Sequence, residues 1–210
     1  MSNQSGSVYG LTFLFPILND AAASPSHDLQ IRNYLSKLDT GAGSPFAIAP
    51  GTHLARLAVM DDVIYVGSPA IEEHLQSKYL VFETNCDSDL EPYLRGLVGA
   101  VTSHIDAIWQ HCTGYPGCAD FSRLLAYMKA CQITTSFFFA AVNNKTVPQT
   151  LVALQTQQAV AQFIASHQGM EPVQLQREFL DFIQWLRSQP PPAPGVGGPL
   201  RAIQTGGHNE

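Results

Sequence analysis

"SVYGLTFLFPIL" occupies residues 7–18 and decides the fold of this chain. Every second side chain is large and apolar, and these side chains share one face of an extended backbone: Tyr9, Leu11, Phe13 and Phe15. Such alternation predicts a β-strand with at least one buried face. The stretch also resembles the apolar part of a signal peptide. However, no Lys or Arg precedes it and Pro16 interrupts it, so we expect a buried strand.

The segments that follow change between strand and helix patterns. In chain order they are a helix in 26–38, strands in 51–60 and 78–85, a long helix from about Asp89 to Trp109 or His111, a helix in 119–131, a strand in 134–142, and helices in 147–168 and 171–188. We expect residues 61–67 to extend the second strand or double back from it, and 68–77 to form a loop with one helical turn.

This order of elements predicts an α+β fold. It matches a split β-α-β arrangement, which is a four-stranded, mostly antiparallel, ferredoxin-like sheet covered by the long helix, with additional C-terminal helices. We expect one α+β domain over residues 1–188, with the ferredoxin-like core at about 7–143 and a helical extension at about 146–188. Residues 189–210 contain "PPPAPGVGGPL", which predicts a flexible tail.

Composition excludes several classes of function. The net charge is −6 and no basic cluster occurs, so the chain lacks the positive surface that nucleic acids need. No apolar run approaches the ~20 residues of a membrane span. The four cysteines, at positions 86, 112, 118 and 131, form no C-x-x-C motif, which predicts reduced thiols and a cytoplasmic location. The sequence predicts no metal site.

One group of candidate site residues lies at the end of the long helix. His104 and His111 continue the spacing of its apolar stripe, so both are expected at the side that packs on the sheet. His111 could serve as a general base or as an axial haem ligand; alternatively it stabilises the helix C-terminus through the dipole. His104 is a hydrogen-bonded border residue or a ligand contact. Tyr115, in the turn "TGYPG", packs over the helix end or lines a pocket.

A second group lies on the strands "GTHLARL" and "VFETN". Regular strands would place His53 and Arg56 on opposite faces, and Glu83 and Asn85 on a common face. Arg56 and Glu83 could form a salt bridge between neighbouring strands. Alternatively Arg56 or His53 meets a carbonyl or anionic group of a ligand, with His53 as a second catalytic candidate and Glu83 and Asn85 helping to orient the ligand.

Three blocks carry a resemblance: "SPFAIAPGTHLARLAVMDD", "KYLVFETNCDSDLEPYL" and "DAIWQHCTGYPG". They resemble an uncharacterised bacterial protein family, over roughly residues 7–185. More loosely, the order of elements resembles the dimeric α+β-barrel superfamily. That superfamily includes cofactor-free monooxygenases, chlorite-dismutase-like haem proteins and dye-decolourising peroxidases. The looser resemblance implies an oxidoreductase, with haem as the cofactor if the chain follows the haem-binding members.

These observations lead to two predicted functions. The first is a small-molecule binding protein or oxidative enzyme of the α+β-barrel type, with a pocket between sheet and helices that takes a small apolar or carbonyl-containing molecule. The second is a non-catalytic scaffold or interaction protein. In both, we expect a homodimer, since a sheet covered by helices on one side leaves an apolar face for a partner. Alternatively the helices between Thr146 and Ser188 cover that face within one chain.

Overall fold

The computed structural model describes residues 3–63, 67–68 and 74–194. The chain divides into two compact units, residues 1–147 and 148–210. The predicted loop and strand extension at 64–66 and 69–73, and most of the predicted tail, at 195–210, lie outside the described residues. None of the described helices has the length and apolarity that crossing a membrane requires.

The first unit is built on an open, antiparallel β-sheet of five strands: β1 (Gln4–Ser5), β2 (Val8–Pro16), β3 (Thr52–Met60), β4 (Tyr79–Cys86) and β5 (Gln132–Ile133). The strands follow the order β1-β2-β4-β3, and β5 pairs with β2 on the side that β1 also occupies. The stretch at 7–18 therefore forms the strand predicted for it. It lies inside the sheet because it pairs on both sides.

Four helices belong to this unit: α1 (His27–Leu35), α2 (Pro45–Ile48), α3 (Leu90–Trp109) and α4 (Phe121–Cys131). The core lies between them and one face of the sheet. There, Phe13 and Phe15 are fully buried, and Trp109 from the end of α3 packs edge-on against Phe15 with ring centroids 5.7 Å apart. The apolar stripe of α3 is buried as its spacing predicts. This confirms the α+β class and the covering role of the long helix.

The predicted fourth strand is wrong in its position. The backbone at 134–142 forms no strand, and β5 consists of the two residues before it, Gln132 and Ile133. Phe137 is 82% exposed and Phe139 is 71% exposed, so two members of the aromatic triplet do not enter the core. The triplet suggested a strand by propensity alone, and propensity is easily overridden by tertiary context. The sheet also has five strands instead of four.

The second unit contains most of α5 (Val147–Ser166) and all of α6 (Pro172–Ser188), the two helices that the sequence predicts. Aromatic rings join them. Phe163 of α5 stacks on Phe182 of α6 with centroids 4.6 Å apart, and His167 stacks on Phe163 at 4.0 Å. Gly169, with φ of 75°, supplies the left-handed residue in the turn between the helices.

Candidate functional site

The face of the sheet opposite helices α1 to α4 carries a row of polar side chains. In the strand register, Thr12 of β2 and Arg56 of β3 both lie opposite Glu83 of β4. The next row along the strands joins Gly10, Asn85 and Leu54. Because alternate residues share a face, all six side-chain positions point away from the aromatic core. The sheet thus brings together three residues predicted as ligand contacts: Arg56, Glu83 and Asn85.

These two rows form the floor of a cleft of about 550 Å³, which we call the open-face cleft. Its wall comes from the segment that follows β5, through Thr135, Phe137 and Phe138. Every residue that lines it belongs to the first unit. A volume of this size is in the range that binds small organic molecules.

Gly10 allows the wall to approach the floor. A Cβ atom built on Gly10 would lie 2.7 Å from the ring of Phe138, well inside van der Waals contact. The glycine in an otherwise apolar strand is therefore explained by close approach of an aromatic ring, which is a common reason for glycine in a strand. Hydrogen bonds to the turn at residues 5–7 fix the far end of this segment: Ser7 N–H and Oγ–H donate to the Asn143 carbonyl at 2.7 and 2.9 Å.

Arg56 and Glu83 form an ion pair across β3 and β4, through Nη2 and Oε2. This agrees with the salt bridge considered from the sequence, but the pair is not buried, since 69% of the Arg56 side chain and 31% of the Glu83 side chain are exposed. An exposed pair contributes at most about 1 kcal/mol to folding. Stability therefore gives little reason for its position, and its donors and acceptors remain accessible from the cleft.

His53 does not line the open-face cleft. The register of β3 shifts between Thr52 and Leu54, which makes His53 the extra residue of a bulge. Its Nε2 lies 2.7 Å from Oδ1 of Asp87. The same carboxylate accepts the backbone N–H of Val147, the first residue of α5. This arrangement ties the end of β4 to β3 and to the start of α5, which is a structural role.

His111 lies beyond the end of α3 and faces α1. Its Nδ1 is 3.0 Å from Nδ1 of His27, the first residue of α1. Burial lowers the pKa of His111 below 6.5, and the neighbouring charge of His27 lowers it further. A histidine that stabilises a helix dipole would have a raised pKa instead. The structure therefore disagrees with that interpretation and agrees with a neutral ring.

The surroundings of His111 do not fit a haem. Its ring faces His27 at a centroid distance of 5.2 Å, and it lines neither the open-face cleft nor the cavity at residues 17–20. That cavity is about 330 Å³ and is bordered by Asp20, Asp28, Asp61 and Lys78, which are polar groups that a porphyrin plane does not favour. His111 joins the start of α1 to the end of α3.

His104 and Tyr115 also join elements of the core. Nδ1 of His104 lies 2.8 Å from the hydroxyl of Tyr34 in α1. The hydroxyl of Tyr115 donates to Asp106 at 2.6 Å and lies 3.1 Å from Sγ of Cys118, while burial raises the pKa of Tyr115. Neither residue lines the open-face cleft. The cavity that His104 does line, between α2 and α3, is about 10 Å³, no more than one water molecule requires.

Sequence reasoning missed the cleft residues Gly10, Thr12, Phe137 and Phe138. The alternation of β2 already placed Gly10 and Thr12 on the second face, and that signal could have been used. It also missed Asp28, which is only 6% exposed. Burial opposes ionisation of Asp28, but hydrogen bonds from Lys78 (2.6 Å) and Ser26 (2.6 Å) outweigh it, so the pKa of this carboxyl is lowered.

Within the described ranges, no group of three or more His, Cys, Asp or Glu side chains is arranged to hold a metal ion. A comparison of the chain with protein-family models, with curated proteins and with solved structures finds no match in any of the three. The open-face cleft, which brings three of the predicted ligand contacts together, is the feature from which we argue function.

Proposed function

We propose that this protein binds a small, neutral, flat molecule in the open-face cleft. The observation that carries the proposal is the meeting of the Arg56–Glu83 pair with the aromatic wall at Phe137 and Phe138. A cleft that combines apolar walls with a few converging polar groups is the usual form of a ligand site.

The polar floor suggests the chemistry of the ligand. Arg56 offers N–H donors, and the carboxylate of Glu83 beside it offers acceptors. The two charges cancel, so a ligand with a full charge would have to compete with an existing ion pair. A primary amide, a lactam or the edge of a nitrogen heterocycle carries a carbonyl acceptor next to an N–H donor, and could bond to both residues at once. Asn85 can add one further bond of either kind.

The wall suggests the shape of the ligand. Phe137 is mostly exposed and Phe138 lies over Gly10, so aromatic surface borders the polar row. Flat apolar rings pack well against such surfaces, and an aromatic contact adds about 0.5–1.5 kcal/mol beyond the area that it buries. Among the described residues, no histidine or cysteine lines the cleft, and its one carboxylate, Glu83, is already paired with Arg56, so an oxidative role finds neither a redox-active side chain nor a free base there. Binding is the function that the geometry supports best.

The strand order supports the finer fold assignment. With β1 set aside, the strands follow the order β5-β2-β4-β3, with α1 and α2 between β2 and β3, and α3 and α4 between β4 and β5. We include in the proposal that this is a ferredoxin-like, split β-α-β sheet. Cross-strand NMR contacts between Phe13 and Gln132 would test the pairing of β5, on which the assignment depends.

Three fragments of one shape test the binding proposal: 2-naphthamide, 2-naphthoate and 2-naphthamidine, which are neutral, anionic and cationic. By NMR titration we expect the amide to shift the amide signals of Thr12, Glu83 and Asn85, with a Kd on the order of 0.1–1 mM for a fragment of this size. The charged fragments should bind at least several-fold more weakly.

Arg56→Met should remove amide binding. The matched control is Arg95→Met, because Arg95 forms a similarly exposed ion pair with Glu91 on α3, outside the cleft. Equal binding of all three fragments, or equal loss in the two variants, would contradict the proposal.

A further inference from the structure

Among the strands that the structure describes, β3 forms one edge of the sheet, since the strand order ends there. Natural edge strands are usually short, or carry charges, prolines, bulges or a covering element that prevents pairing with another chain. In β3 such protection is limited to the bulge at His53, near its start, and the charge of Arg56. The sequence of β3, "THLARLAVM", contains neither proline nor lysine, and Leu54 is 51% exposed. Its length of nine residues is also well above that of a protected edge.

One hydrogen bond identifies which backbone groups point outward from this edge. Nη2 of Arg32 donates to the Val59 carbonyl at 3.3 Å, so the backbone of Val59 faces away from β4. Backbone direction alternates along a strand, and the register from Leu54 to Met60 is regular. Ala55 and Leu57 must therefore also direct their N–H and C=O groups outward. Within the described ranges, neither makes a backbone hydrogen bond beyond the β3–β4 ladder.

We infer that β3 pairs with β3 of a second copy of this chain, antiparallel, about a two-fold axis at Leu57. In this register Ala55 lies opposite Val59 of the second copy, and Leu57 lies opposite its equivalent. Each outward pair can exchange two backbone hydrogen bonds. Because the Val59 carbonyl already accepts from Arg32, about four bonds across the interface form without displacing that side chain. The two sheets become one continuous sheet, and both open-face clefts lie on the same side of it.

The positions of the charged side chains favour this register over the neighbouring one. An axis at Arg56 would place the two Arg56 side chains directly opposite each other, which is destabilising. An axis at Leu57 places Arg56 opposite the small Ala58 of the second copy. The apolar side chain of Leu54 then meets that of Met60.

A pair of charge variants tests the register. The side chain of Ala58 is on the exposed face, so neither Ala58→Arg nor Ala58→Glu should change the melting temperature appreciably. Ala58→Arg places like charges opposite Arg56 at two symmetric positions and should raise the dimer dissociation constant on the order of tenfold; Ala58→Glu should lower it. Sedimentation from about 1 to 500 µM measures both constants, a range that covers typical homodimer affinities.

Amide hydrogen exchange, measured residue by residue over the same concentrations, supplies the second test. The amides of Ala55 and Leu57 should become protected only as the dimer forms, whereas those of Arg56 and Ala58, bonded to β4, should be protected throughout. The inference is overturned by a wild-type monomer at every concentration, by a dimer in which Ala55 and Leu57 stay unprotected, or by equal dissociation constants for the two variants.

Discussion

Gly10→Ala should destabilise the first unit by pushing the Phe138 ring off the floor of the cleft. The new methyl group would lie 2.7 Å from that ring, about 1 Å closer than ordinary carbon contacts allow. Overpacking of this kind costs about 1–3 kcal/mol, while replacing glycine by alanine recovers about 0.5–1 kcal/mol from the unfolded chain. The expected net loss is about 1–2 kcal/mol in the free energy of unfolding.

A double-mutant cycle isolates this contact. Phe138→Ala removes a half-buried ring and should cost about 1 kcal/mol by itself. In that background Gly10→Ala meets no ring, so it should be neutral or stabilise by up to about 0.5 kcal/mol. The coupling free energy is then about 1–2 kcal/mol, measurable by urea unfolding followed through far-UV circular dichroism.

Each of the two variants should also weaken ligand binding in the open-face cleft, for a different reason. Gly10→Ala should weaken binding of 2-naphthamide, since the displaced ring no longer borders the polar row, and Phe138→Ala should weaken it through loss of aromatic contact. Additive free energies in the cycle would refute the reasoning, because they would show that the ring does not lie over Gly10 in solution.

Three further predictions concern the core and its ion pairs. Burial holds the pKa of His111 in the folded protein below its ordinary value of 6.5. The stability that the neutral ring contributes is therefore full above pH 6.5 and is lost as the pH falls from there through the folded pKa. His111→Gln should flatten the dependence of stability on pH between about pH 7.5 and 5.5, measured by urea unfolding. Asp28→Asn should cost about 1.5–3 kcal/mol at pH 7, by the weakened bond to Lys78, and progressively less as the pH falls through the lowered folded pKa of Asp28, in the same assay. Phe15→Ala should cost about 3–5 kcal/mol, whereas Phe139→Ala, at an exposed site, should stay within about 0.5 kcal/mol in thermal unfolding.

Local sequence patterns were enough to predict the elements whose apolar residues recur at a regular spacing. The alternation of β2 and the stripe of α3 follow from backbone periodicity, and both elements are buried on the faces that the periodicity indicates. The bulge at His53 was not predictable, because a single register shift leaves no mark in the composition of a strand. It removes His53 from the site that Arg56 and Glu83 share.

Other contacts were not predicted because they join positions that are distant in the sequence. His27 and His111 are 84 residues apart, so no local signal pairs them, and the sequence assigned His111 to the helix end beside it. The same holds for Phe138 and Gly10. Periodicity identifies the face of an element, but it does not identify which distant segment will cover that face. Arg56 and Glu83 were predictable because charged residues inside apolar strands are rare without a partner.

The position of β2 has a consequence for synthesis of the chain. Its main partner is β4, and Leu11 pairs with Thr84, about 70 residues later in the order of translation. At a translation rate of 5–20 residues per second, β2 emerges roughly 4–15 seconds before β4, the strand that pairs with it. During that interval its run of aromatic and aliphatic side chains is the type of sequence that joins intermolecular β-structure. A nascent chain halted before Tyr79 should therefore depend on chaperones that hold apolar segments, and one released after Ile133 should not.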